Sequence, residues 1–106
     1  MNYKQVLTYN FSIDETRNSF EELLNDMGFR DMPDQSTWAL LYSSRLTKHS
    51  VINLIIEWSK DDDNVIKSRD FVHVFRSVAV ADRDGGLYPG IDTVFLRYDA
   101  TTKGLK

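Results

Sequence analysis

Polar and apolar residues alternate loosely from Gln5 to Phe11, with Val6, Thr8 and Asn10 on one side and Leu7, Tyr9 and Phe11 on the other. This period of two predicts a strand. The period then changes: Ile13, Phe20, Leu23, Leu24 and Met27 recur at helical spacing, which predicts a helix from about Asp14 to Met27. Ser12 and Glu15 have the spacing of a capping box at its start, and Gly28 is the expected left-handed residue after its end. Phe29–Ser36 is irregular and contains Pro33. Thr37–Ser43 predicts a second strand, with Trp38, Leu40 and Tyr42 opposite Ala39, Leu41 and Ser43. A second helix, capped by Ser44 or Thr47, is expected to present Val51, Ile52, Leu54, Ile55, Ile56 and Trp58 as a wide apolar face.

Asp61–Asn64 is an acidic turn. Ser68–Val80 predicts a long strand: Val72, Val74, Val78 and Val80 line one face, interrupted by Arg76, and Phe71, His73 and Phe75 line the other. Asp82–Gly90 is turn-rich, Thr93–Tyr98 predicts a last strand, and residues 100–106 are expected as a loose polar tail. The elements predict an α+β sandwich, an antiparallel sheet with two helices on one face. The ferredoxin-like plan β-α-β-β-α-β fits if the second strand is divided in two.

Composition narrows the chemistry. The chain has 106 residues, which suits one domain, with 42% hydrophobic and 27% charged residues. It has no cysteine, so disulfides, thiolate metal sites and a cysteine nucleophile are excluded. His49 and His73 are its two histidines, too few for a histidine-rich zinc site. A formal net charge of −3 argues against broad nonspecific binding to nucleic acid but leaves room for a local basic patch. No signal peptide and no bilayer-spanning apolar run is visible, and a cytoplasmic location without membrane attachment is expected.

A family resemblance rests on several stretches taken together. Tyr9-Asn10 ends the first strand, a polar turn follows at Ser12–Thr16, Arg17-Asn18 opens the helix and Gly28-Phe29 closes it. Gln35-Ser36 with Trp38 comes next, then the link Ser44-Arg45-Leu46 into the second helix and the hydrophobic strand Phe71–Val80. Across roughly residues 4–80 the chain resembles the superfamily of the CRISPR-associated protein that forms the central dimer of the spacer-acquisition complex. Its relatives include the virulence-associated D ribonucleases and a ribonuclease antitoxin. The resemblance implies a ferredoxin-like homodimer, with Thr93–Tyr98 suited to pairing with the partner subunit. It also implies a metal-binding Asp at the end of the first strand in active relatives, with Mg²⁺ or Mn²⁺ activating water on a phosphodiester.

This chain carries Asn10 at that position. An amide is a neutral, weaker ligand, so nuclease activity is expected to be weak or lost. Asp14 and Asp70 are the other catalytic candidates. Asp14 is explained as readily by the helix dipole, and Asp70 and His73 differ by three positions on a strand, which separates their faces. Arg17, Arg30, Arg45, Lys48 and His49 are candidates for contacting nucleic acid, against the alternative of solvated helix ends. The aromatic set Trp38, Tyr42, Phe71 and Phe75 could stack bases or serve packing. Three functions follow: a dimeric adaptor binding RNA, DNA or a protein partner; a metal-dependent endoribonuclease; and a mobile-element inhibitor acting through protein contacts.

Overall fold

A computed structural model describes residues 3–32, 37–41, 44–75 and 93–106. Arg76, Val78, Val80 and the Asp82–Gly90 loop lie outside the described residues, as do Pro33, Gln35-Ser36, Tyr42 and Ser43. The described elements are β1 (Tyr3–Asn10), α1 (Asp14–Met27), β2 (Arg30–Asp31), β3 (Thr37–Leu41), α2 (Lys48–Ser59), β4 (Phe71–Phe75), β5 (Val94–Asp99) and β6 (Gly104–Leu105). They form one antiparallel sheet in the order β2-β3-β1-β4-β5-β6. β1 is central, and α2 carries the chain from one of its neighbours, β3, to the other, β4.

Strand alternation gives the sheet two unlike faces. Leu7, Trp38, Leu40, Val72, Val74 and Leu96 point inward and form one core with Phe20 and Leu24 of α1 and Val51 and Ile55 of α2. Both helices therefore cover the same face. Tyr9, Phe11, Phe20 and Trp58 pack as an aromatic cluster at the β1–α1 end, with centroids 4.9–5.9 Å apart. Its polar ends are satisfied: Trp58 Nε1 donates to Ser19 Oγ at 3.0 Å, and Trp38 Nε1 donates to the Tyr9 hydroxyl at 3.2 Å. Burial holds the Tyr9 hydroxyl above its usual pKa, against the lowering effect of the Trp38 bond, so Tyr9 stays a neutral acceptor. Gln5 is also buried, and its Oε1 has no hydrogen-bond partner among the described residues.

Helix α1 ends as its sequence predicts. Gly28 has φ 91°, its N–H bonds Asn25 O, and Phe29 N bonds Leu24 O at 3.0 Å, closing a Schellman motif with Phe29 and Leu24 both in the core. The start differs from expectation. The residue before the helix is Ile13, no side chain caps it, and Ser12 is committed elsewhere. Helix α2 begins at the expected Thr47, whose Oγ1 accepts from Ser50 N at 3.1 Å. Its buried stripe is narrower than predicted, Val51, Ile55 and Ser59, and Leu54 is 42% exposed.

The expected loose tail is instead a turn and a docked strand. Leu105 is 1% exposed, its N–H donates to Ser59 Oγ at 2.8 Å, and Ser59 Oγ donates to Ile56 O at 2.7 Å. Gly104 is required there, because a Cβ would stand 2.8 Å from Ser59 Oγ. In the connecting turn Lys103 has φ 56°, a left-handed conformation that costs a side chain free energy. Lys103→Gly is expected to raise stability by about 0.5 kcal/mol, read as a higher urea midpoint. An unchanged or lower midpoint would contradict this account of the turn.

Candidate functional site

The face of the sheet opposite the helices gathers side chains from three adjacent strands. Val6, Thr8 and Asn10 stand on β1, Phe71, His73 and Phe75 on β4, and Phe95 and Arg97 on β5. The register forms rows across the strands: Thr8–His73–Phe95, and beside it Asn10–Phe71–Arg97. Val6, Ala39 and Phe75 at one end of this face are buried, whereas Asn10, Phe95 and Arg97 are exposed and Phe71 and His73 half-buried.

The rings of this face touch one another. Phe71 and Phe95 stack with centroids 5.1 Å apart and planes 20° from parallel. His73 lies 5.2 Å from Phe95 and 5.1 Å from Phe75. The Arg97 guanidinium sits 4.5 Å from the Phe95 centroid. No ion pair engages Arg97 among the described residues. A cation–π contact at an exposed site contributes only about 0.5–1 kcal/mol, so Arg97 is oriented without being locked. Phe95, 42% exposed, is an apolar ring held open to solvent.

The three acidic or amide candidates lie near the same end of the fold but do not converge. Asn10 is exposed on the outer face, in register with Phe71. Asp14 is exposed on α1 and pairs with Arg17 at 2.8 Å. Asp70 is 1% exposed, and its carboxylate accepts three hydrogen bonds: from Ser12 N at 3.0 Å, Ser12 Oγ at 2.8 Å and Lys67 N at 2.8 Å. It ties the β1–α1 turn to the segment preceding β4, as Thr16 Oγ1 does by donating to Val65 O at 2.8 Å. Ser12 thus serves Asp70 in place of the capping box. Among the described residues, no group of three or more His, Asp and Glu side chains gathers in metal-binding geometry.

The basic candidates are divided between the two ends of the sheet. Arg17 belongs to the first turns of α1, beyond the C-terminal end of β1, and also approaches Glu21 at 3.9 Å. Lys48 and His49 open α2 and Arg45 lies in the link just before it, by the N-terminal end of β1: Lys4 Nζ donates to Ser44 O at 3.2 Å. His49 shares a 3.1 Å hydrogen bond with Asn53, and Arg30 is exposed on β2. These residues do not form one patch. Phe95 and Arg97 were not among the sequence candidates, because their placement depends on β5 pairing with β4. A recess of about 200 Å³ lies between the Asp61–Asn64 turn and the β5–β6 hairpin, next to Lys60 and Lys103.

No protein-family model, curated protein or solved structure matches the chain. Among the described residues no helix is long and apolar enough to cross a membrane.

Proposed function

We propose that the chain is a noncatalytic binding protein that holds single-stranded nucleic acid, RNA or DNA, on the outer face of its sheet. The observation that carries this reading is the outward-facing Phe71–Phe95–Arg97 group, two stacked rings with a cation over the exposed one. Unpaired bases present a π-face that stacks on such rings, with about 1–3 kcal/mol per base, and a guanidinium beside them can meet the phosphate. A duplex keeps its bases stacked inside and offers this surface much less. The acidic net charge of −3 accords with a local cation on an aromatic platform better than with a broad basic footprint.

The spacer-acquisition superfamily is part of the same proposal, with a cytoplasmic location and a homodimer. Its ferredoxin-like plan is supported by the element order β-α-β-β-α-β from β1 to β4, in which β2 arises from the stretch expected as irregular rather than from a divided Thr37–Ser43 strand. Asn10 supports the noncatalytic reading, because a neutral amide stands where active relatives hold a metal-binding carboxylate. Packing of this face against a second copy is the competing use, favoured by the 42% exposure of Phe95.

The test is an anisotropy titration of labelled single-stranded RNA and DNA at several salt concentrations, alongside the protein's mass in solution. Binding is expected to weaken with salt, with a log–log slope of about −0.7 for each cation engaged on a single strand. Single-stranded RNA incubated with Mg²⁺ or Mn²⁺ is expected to stay intact. No binding by a stable dimer would assign the face to self-association. Metal-dependent cleavage lost in Asp14→Ala would assign the chain to the nucleases.

A further inference from the structure

We infer that Asn10, Phe71 and Arg97 form a one-base subsite that selects guanine, an inference that rests on the binding role proposed above. The three residues occupy one row across β1, β4 and β5, Asn10 opposite Phe71 and Phe71 opposite Arg97. Directly opposed residues on antiparallel strands stand about 5 Å apart, so the Asn10 and Arg97 backbones are separated by about 10 Å with an aromatic ring between them. Phe95 covers one face of Phe71, and a purine stacked on the other face lies in the row that has Asn10 at one end and Arg97 at the other.

The chemistry of those two ends is specific. The Arg97 guanidinium is a planar fork of donors that matches the two acceptors O6 and N7 of guanine, the commonest base-specific pairing of arginine. The sugar edge on the other side of guanine carries the N2 amino donor and the N3 acceptor. A carboxamide offers one acceptor and one donor, so Asn10 can meet both. Adenine has an amino donor at position 6 and no amino group at position 2, which leaves partners unmatched at both ends. Pyrimidines are too short to engage Asn10 and Arg97 together. Both flanking side chains are exposed and available: Arg97 is held by its cation–π contact alone among the described residues, and Asn10 closes its strand beside solvent. This gives Asn10 a purpose that an Asp would not serve, since a carboxylate has no donor for N3 and repels the nearby phosphates.

The experiment titrates the full chain with labelled oligothymidine carrying one central guanine, adenine or cytosine, and with the corresponding oligouridine set. The guanine probe is expected to bind about tenfold tighter than the others, the discrimination typical of one bidentate pair. Arg97→Lys keeps the charge and loses the fork. It is expected to bring the probes to within about twofold of one another while the salt slope persists. Because Arg97 is exposed, an unchanged urea midpoint is expected to accompany this loss. Equal binding of all probes by the unaltered protein, or a preference for another base, would overturn guanine selection and leave the binding role standing. Failure to bind any probe would overturn both.

Discussion

Asp70→Ala is expected to destabilise the fold by about 3 kcal/mol, the larger part from donors left without a partner. The Asp70 carboxylate is buried and holds Ser12 N, Ser12 Oγ and Lys67 N, joining segments 58 residues apart in the chain. Alanine removes all three acceptor contacts and offers nothing in exchange, and hydrogen bonds to a charged group typically contribute about 1.5–3 kcal/mol each. Ser12 is exposed, so water recovers part of that loss. Asp70→Asn keeps a carbonyl oxygen and should fall between alanine and the unaltered protein. Urea denaturation reads both. A loss below about 1 kcal/mol in Asp70→Ala would show that the clasp is not what holds the β1–α1 turn.

Replacing Phe71 and Phe95 together by alanine is expected to weaken single-strand binding by at least tenfold, since base–aromatic stacking typically contributes about 1–3 kcal/mol per base. The two rings stack on each other, so they act as a unit and their separate effects should not add. Phe95 is 42% exposed, and its truncation alone should cost much less stability than a core Phe→Ala change, typically about 3–5 kcal/mol. Phe95→Leu separates stacking from packing: it keeps apolar area and removes the π-face. It should reduce binding while leaving the urea midpoint close to its original value. Undiminished binding in the double variant would remove the aromatic platform from the account.

Much of the architecture is legible in local pattern. The helical spacing of Phe20, Leu24 and Met27 and the glycine at residue 28 place α1 and its end, because both signals act within a few residues. Alternation assigns Phe71, His73 and Phe75 to one side of their strand and Val72 and Val74 to the other, as the structure has them. What escaped depends on partners distant in the chain. Ser12 and Glu15 have capping-box spacing, but the Ser12 hydroxyl is taken by Asp70. The tail looks unstructured because β6 is two residues long and derives its order from Ser59.

The candidate site divides the same way. Asn10 and the β4 aromatics could be named from sequence, but Phe95 and Arg97 could not be joined to them without the β4–β5 register. The basic residues illustrate the converse. Arg17 lies in the first turns of α1 and Arg45 just before α2, which makes one patch plausible in sequence, yet α1 and α2 start at opposite ends of β1.

The outer sheet face is the surface proposed to hold nucleic acid. The direct measurement is the change in backbone amide resonances when an unlabelled guanine-containing single strand is added to isotopically labelled protein. The account predicts that the largest shifts fall on Asn10, Phe71, His73, Phe95 and Arg97, with the starts of both helices little changed. Shifts centred on Arg45, Lys48 and His49, with the outer face unmoved, would contradict it.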